Sequence, residues 1–232
     1  MNILKKFKNN VFGNKNIFFV LSLFLVTICL ISVLIFLVYL IKTLPDPAQI
    51  SSRSITQSTK IYDRTGKILL YDVHKEEKRT VVNSENISQF LKDAVVAAED
   101  GGFYSHSGIS ISSIIRAALS DIANKNMDQG GSTITQQFVK NAFLSPEKTL
   151  IRKIKEALLA IQLEKRFSKE EILTLYLNQV PFGSSSYGAE SASLAFFNKH
   201  AKDLSLNEAA LLASLIKAPS YFSPYGTHTQ EL

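Results

Sequence analysis

The chain has 232 residues, 46% of them hydrophobic, which is enough for one domain with a buried core. Its formal net charge is +6, but the first sixteen residues carry four lysines and no acid, leaving 22 basic and 20 acidic residues elsewhere. That balance gives little support to nucleic-acid binding. The single cysteine, Cys29, excludes an intrachain disulfide.

An apolar segment near the N-terminus predicts a membrane anchor. Residues 17–41 are 25 uncharged residues, long enough to cross a bilayer as a helix. The lysines before them predict a cytoplasmic tail over residues 1–16 and an exported remainder. A cleavable signal peptide is the alternative, but its apolar region is usually shorter and no small-residue cleavage site follows. We therefore expect an uncleaved helix at 17–41, a linker at 42–57 and an exported domain at 58–232.

The exported part is predicted to be mainly α-helical, with one β element at its start. Residues 58–72 alternate around a turn and predict a short β-hairpin, with Gly66 at the tight position. Ser132 is the expected N-cap of a later helix, and two capping boxes open further helices. Helical patterns cover 87–98, 109–122, 133–143 and 149–166, followed by the boxes Ser168–Glu171 and Ser205–Glu208. The strongly apolar 109–122 is either core or a surface that dips into the membrane.

Two acidic positions are candidates for chemistry. Glu99 and Asp100 end an apolar helical segment where the chain breaks into glycines. A carboxylate held against apolar residues beside a cleft can act as a general base, although such a pair at a helix end is more often solvated. Glu156 lies four residues after Arg152, so the two project together from one helix. An exposed salt bridge is the alternative interpretation of that pair.

Basic residues cluster around Glu156 in the sequence. They are Lys140, Lys148, Arg152 and Lys153. Two carboxylates on separate helices are usual for chemistry at a sugar C1, but a neutral leaving group has no need of cations. A leaving diphosphate is stabilised by positive charge, and the helix start after Gly130–Gly131 adds backbone N–H groups for an anion. The pattern favours glycosyl transfer from a sugar diphosphate next to a membrane.

Three motifs carry a family resemblance. They are Glu99-Asp100-x-x-Phe103-x-x-His106-x-Gly108, then Gly130-Gly131-Ser132-Thr133-Ile134-Thr135-Gln136-Gln137-x-x-Lys140-Asn141, then Arg152-Lys153-x-x-Glu156. With further matches at Tyr176-Leu177-Asn178 and Tyr187-Gly188, the similarity covers about residues 61–225. The chain resembles the membrane-anchored peptidoglycan glycosyltransferases (glycosyltransferase family 51). That family occurs in class A penicillin-binding proteins and in monofunctional transglycosylases.

The resemblance implies a mainly α, lysozyme-like glycosyltransferase fold that polymerises lipid II into β-1,4-linked strands with inversion. It implies that Glu99 is the base and that Glu156 assists on the donor side. The diphosphates are expected to be held by Ser132, Thr133, Gln137, Lys140, Lys148, Arg152 and Lys153. Asp100 is expected to contribute to substrate binding and, with Phe103 and His106, to shape the site.

The same resemblance implies the surroundings of the protein. A divalent cation, Mg or Mn, is expected with the diphosphate, with its protein ligands unassigned and no organic cofactor. Expected partners are lipid II, the growing glycan strand, the bilayer and other cell-wall synthesis proteins. The domain is expected on the outer face of a bacterial plasma membrane.

Some features depart from the family pattern. Gly101–Gly102 replaces larger residues and could loosen the site, and Lys148 replaces a frequent arginine. The end at Leu232, soon after the last motif, favours an incomplete bifunctional protein. Two rival functions remain: a lytic enzyme that cleaves the same glycan on a related fold, and a non-catalytic scaffold that binds lipid II.

Overall fold

The computed structural model describes residues 14–46, 59–65, 67, 69–73, 78–124, 131–147, 149–183, 185–219 and 221–222. Lys148, Gly66 and Gly130, all singled out in the sequence, lie outside these described residues. The chain divides into two compact units, Met1–Leu44 and Pro45–Leu232.

The first unit contains a single described helix, α1 (Asn14–Lys42). Its residues Ile17–Lys42 are long and apolar enough to cross a membrane, with large apolar side chains exposed along the helix. A signal sequence near an N-terminus can pass the same test of length and composition. The helix therefore covers the predicted span, while its membrane topology stays a prediction.

Two short pairs of strands belong to the second unit. Strands β1 (Thr59–Tyr62) and β2 (Leu69–Val73) pair antiparallel, with Thr59 opposite Val73 and a shift of register after Ile61. Strand β3 (Lys78–Arg79) pairs in parallel with β4 (Ser186–Tyr187), more than 100 residues later. No sequence pattern predicts this second pair, because each strand is only two residues long.

The rest of the described second unit is helical, as the spacing predicts. Its seven α-helices are α2 (Gln89–Glu99), α3 (Ile111–Asn124), α4 (Ile134–Phe143), α5 (Leu150–Glu164), α6 (Lys169–Leu177), α7 (Ala189–Phe197) and α8 (Leu206–Lys217). Both predicted capping boxes are present, at Ser168 with Glu171 and at Ser205 with Glu208. The prediction that Ser132 caps α4 is wrong, because Thr133 is the N-cap.

The packing of these helices places α4 at the centre of the site. Helix α4 packs against both α5 and α6, and it buries Ile134 and Phe138. Helix α8 packs against α2, the helix that ends at Glu99. On α3 the side chains of Ile111, Ile114 and Ile115 are 71%, 47% and 54% exposed. Of the two interpretations of that segment, these side chains agree with a surface rather than with core.

Candidate active site

Glu99 is held by a hydrogen-bonded relay that crosses three helices. Gln137 Nε2 on α4 donates to Glu99 Oε2 at 2.8 Å, and Tyr176 Oη on α6 donates to Gln137 Oε1 at 3.0 Å. Burial, and after it the charge of Glu99, raises the pKa of Tyr176, so its hydroxyl keeps the proton that it donates. This donation fixes the Gln137 amide with its NH₂ group toward Glu99.

The second carboxylate oxygen of Glu99, Oε1, differs from Oε2 in its contacts. Glu99 Oε1 is buried and has no hydrogen-bond partner among the residues that the structure describes. A buried carboxylate oxygen without a partner is costly in a purely structural role, and it is expected where a ligand donor completes the site. Glu99 can therefore accept a hydrogen bond, and then a proton, from a bound hydroxyl.

Asp100 and His106 hold together the loop that follows Glu99. Asp100 is buried, and its Oδ2 lies 2.8 Å from His106 Nε2. The Gly108 N–H donates to His106 Nδ1 at 3.2 Å, which makes Nδ1 an acceptor and assigns the ring proton to Nε2. Both ring nitrogens are thus engaged inside the protein. The imidazole positions the loop and is not turned toward a substrate by these contacts.

The start of α4 is satisfied by the protein itself. Ile134 N–H donates to Asp100 Oδ2 at 3.1 Å, and Thr133 and Gln136 cap each other reciprocally. Thr133 Oγ1 also donates to the Gly108 carbonyl at 2.7 Å. We expected free N–H groups here for a substrate anion, but the carboxylate of Asp100 already occupies this end of the helix. Thr133 and Asp100 therefore join the loop to α4.

Glu156 lies between two cations. It is 2% exposed, its Oε2 accepts from Lys153 Nζ at 2.9 Å, and its Oε1 lies 3.3 Å from Arg152 Nε. Lys153 also donates to the hydroxyl of Ser132, just before α4. The predicted pairing of Arg152 with Glu156 is present, and the pair is too buried to be a solvated surface bridge. Glu156 therefore holds two basic side chains in place.

A pocket of about 520 Å³ opens beside these cations. We call it the basic pocket, and it is lined by Arg79, Lys140, Asn141, Leu144, Ser145, Pro146, Arg152, Gln179, Pro181 and Tyr187. Three of these residues are cationic and none is acidic. Such a lining attracts anions and repels cations. Gln137 and Lys140 lie three residues apart on α4, so the contact with Glu99 and the basic pocket share one face of that helix.

The predicted site residues therefore separate into three groups. Lys140 and Arg152 line the basic pocket, whereas Lys153 and Ser132 contact each other beside Glu156. Gln137 contacts Glu99 directly, and Lys148 is outside the described residues. Arg79 and Tyr187 were missed as pocket residues, because their neighbours in the pocket are far away along the chain. The quoted Tyr187-Gly188 match was the one available signal for Tyr187.

A second polar cluster lies beside the loop that follows Glu99. Glu164, at the end of α5, accepts from Thr135 Oγ1 at 2.6 Å and lies 2.7 Å from Lys169 Nζ. That ammonium lies 4.5 Å from the ring centroid of Phe103, which is fully buried. Phe103 thus fills the space under the turn after Glu99, and its role in shaping the site stays a prediction.

Metal binding has little support from these residues. Among the residues that the structure describes, no group of three or more His, Cys, Asp and Glu could hold a metal ion. Glu156 already faces two cations, and Asp100 is used by His106 and α4. Neither carboxylate fits as a ligand for a divalent cation.

The similarity to known proteins agrees with the family resemblance of the motifs. Penicillin-binding protein 1A of Aquifex aeolicus (strain VF5) is 46% identical over 195 residues, covering 84% of this chain and 27% of that protein. Penicillin-binding protein 1A of Rickettsia bellii (strain RML369-C) is 39% identical over 217 residues, with shares of 90% and 27%. Penicillin-binding protein 1F of Bacillus subtilis (strain 168) is 45% identical over 169 residues, with shares of 72% and 23%.

The chain spans about a quarter of the length of these relatives. The family model described as Transglycosylase matches residues 66–232, which is most of the chain. The protein therefore belongs to the transglycosylase family of peptidoglycan glycosyltransferases.

Proposed function

We propose that this chain is a membrane-anchored peptidoglycan glycosyltransferase of lysozyme-like architecture. It polymerises lipid II into β-1,4-linked glycan strands and releases undecaprenyl diphosphate. The observation that carries this proposal is the shared face of α4, where Gln137 contacts Glu99 and Lys140 lines an acid-free basic pocket. A base and an anion site on one helix face suit transfer from a sugar diphosphate.

The two glutamates have different roles in the proposed reaction. Glu99 Oε1 takes the proton from the C4 hydroxyl of the acceptor. At the same time the C4 oxygen of the acceptor attacks C1 of the donor. The C1–O bond to the diphosphate breaks on the opposite face, which inverts the configuration. Glu156 takes no proton and keeps Arg152 and Lys153 oriented.

The basic residues stabilise the leaving diphosphate in this proposal. Lys140 and Arg152 contact its oxygens from the basic pocket as negative charge develops on them. Lys148, whose position is not described, is proposed for the same role from the sequence. Any divalent cation would be carried by the diphosphate oxygens, because Glu156 and Asp100 do not fit as its ligands.

The surroundings belong to the same proposal. Helix α1 anchors the chain in the plasma membrane with its N-terminus in the cytoplasm, which brings the domain close to a lipid-linked substrate. The exposed isoleucines of α3 (Ile111, Ile114 and Ile115) suit contact with the bilayer surface. Other cell-wall synthesis proteins are the proposed partners.

The test uses the full chain in detergent with purified lipid II and a divalent cation. Glycan strands should form with the wild type, and Glu99→Gln should lower the rate by at least about 100-fold because the base is lost. Glu85→Gln is the matched control, since Glu85 is an exposed acid on a separate turn (Ser84–Asn86) and should keep the wild-type rate.

Three outcomes would contradict the proposal. Equal polymer from the wild type and Glu99→Gln would exclude Glu99 as the base. Soluble muropeptides released from finished sacculi, without polymer from lipid II, would establish the lytic function instead. A wild type that binds lipid II but joins none of it would establish the scaffold.

A further inference from the structure

Arg79 reaches the basic pocket from a part of the chain that precedes all three motifs. It is the second residue of β3, directly opposite Tyr187 in the parallel pair with β4. Its guanidinium carbon lies 5.3 Å from the centroid of the Tyr187 ring. The strand pair thus delivers one arginine and one aromatic ring to the same pocket wall.

The backbone that carries Arg79 is fixed on both sides of the strand pair. Thr80 N–H donates to Ser191 Oγ at 2.9 Å, one residue after Arg79. The Asn178 amide then exchanges two 2.9 Å hydrogen bonds with the backbone of Val82. Four interactions, counting the strand pair, fix the backbone on both sides of Arg79. They hold a side chain in a defined position.

The backbone just after β4 lies in close contact with the backbone of Asn178. Gly188 follows β4 with φ of +84°, and a Cβ there would lie 2.7 Å from the Asn178 carbonyl oxygen. Only glycine allows this contact without strain. Asn178 therefore contacts the Arg79 segment with its side chain and the Tyr187 segment with its backbone. The two segments are positioned by one residue.

The chemistry of the pocket assigns the role of Arg79. Its lining holds three cations and no acid, so Arg79 adds positive charge to the pocket wall. A guanidinium has five N–H donors in one plane, so contact with an aromatic ring does not exhaust it. Planar paired donors match the oxygens of a phosphate, whereas an ammonium offers only a point charge.

We propose that Arg79 is a third diphosphate-binding residue of the basic pocket, contributed by the β3–β4 pair rather than by α4 or α5. This inference rests on the proposed function, in which a lipid-linked diphosphate leaves from that pocket. Tyr187 is the positioning residue of Arg79, because its ring supports the guanidinium. The cations of the pocket then come from β3, α4 and α5.

The test measures binding of inorganic pyrophosphate to the full chain in detergent by calorimetry, together with kcat and KM for lipid II. Arg79→Ala should weaken pyrophosphate binding about tenfold and raise KM by a similar factor, with kcat within about threefold. Arg79→Lys should recover part of the affinity, because it keeps the charge but loses the fork. Arg166→Ala, which removes an arginine paired with Asp46 outside the pocket, should leave both values unchanged.

The result that overturns the inference is a folded Arg79→Ala protein with pyrophosphate affinity and KM within twofold of the wild type. A purely structural role would instead lower the melting temperature and kcat of both Arg79 variants, with pyrophosphate affinity unchanged, and would also overturn it. If Arg79→Ala does not fold, Arg79→Lys and Tyr187→Leu decide by the same two readouts. A wild type that makes no polymer refutes the proposed function, and the pyrophosphate series then still decides on Arg79.

Discussion

Replacing Gly108 by alanine should destabilise the domain strongly, because two separate costs act at this position. Gly108 has φ of +90°, where an alanine is strained by about 1–2 kcal/mol. Its Cβ would also lie 2.7 Å from the backbone carbon and 2.8 Å from the carbonyl oxygen of Ala160 in α5. Such overpacking against helix backbone costs about 1–3 kcal/mol, since backbone cannot rotate away.

The two costs of Gly108→Ala together lower the free energy of unfolding by about 2–5 kcal/mol, which corresponds to about 5–15 °C in melting temperature for a domain of this size. Far-UV circular dichroism of the full chain in detergent measures it, since the domain is mainly helical. Polymerisation should fall as well, because Gly108 contacts both His106 and Thr133. A melting temperature within about 1 °C of the wild type would refute the close approach to Ala160.

Three further tests address other parts of the domain. Gly101→Ala and Gly102→Ala should each raise the melting temperature by about 1–3 °C. Neither Cβ meets an atom closer than 3.5 Å, and the unfolded chain loses conformational freedom. If calorimetry finds either variant less stable than the wild type, the space around that glycine is not open. Glu208→Gln tests an acid whose pKa is lowered from 4.5 to about 2 by Lys199 and then by Ser205. Since folding lowers that pKa, the wild type should have a higher melting temperature than the variant above pH 4.5. This difference in melting temperature should vanish as the pH falls toward 2. A difference in melting temperature that stays constant with pH argues against this linkage. Glu156→Gln should lower the free energy of unfolding, measured in urea, by about 1–3 kcal/mol. The loss is smaller than for a fully buried ion pair because Lys153 is 46% exposed. The double variant Glu156→Gln/Lys153→Met should lose less unfolding free energy than the sum of the two single variants.

The helices of the second unit were readable from the sequence because their signals are local. Ser168 and Ser205 each lie three residues before a glutamate and open an apolar run, and both boxes are present. The cap of α4 was misplaced by one residue, since Ser132 and Thr133 are both good N-caps. The reciprocal contact with Gln136 decides for Thr133, and Ser132 is then left to contact Lys153.

The features that the sequence could not predict depend on contacts between distant parts of the chain. Arg79 and Tyr187 are paired by strands too short to have a detectable pattern. The N-terminus of α4 was expected to bind a substrate anion, but Asp100, 34 residues earlier, satisfies it. Local patterns show that a helix end attracts an anion, but only the fold shows which anion reaches it.

The fold also distinguishes two glutamates that look equivalent in the sequence. Proton transfer to Glu156 would disrupt its ion pairs with Arg152 and Lys153, because a neutral carboxyl no longer attracts either cation. Among the described residues, no cation lies within ion-pair distance of Glu99, whose partner is the neutral amide of Gln137. Protonation of Glu99 therefore breaks no ion pair seen in this part of the chain. Since a base must gain and lose its proton in every cycle, the geometry favours Glu99 for that step and leaves Glu156 to fix the cations that receive the diphosphate.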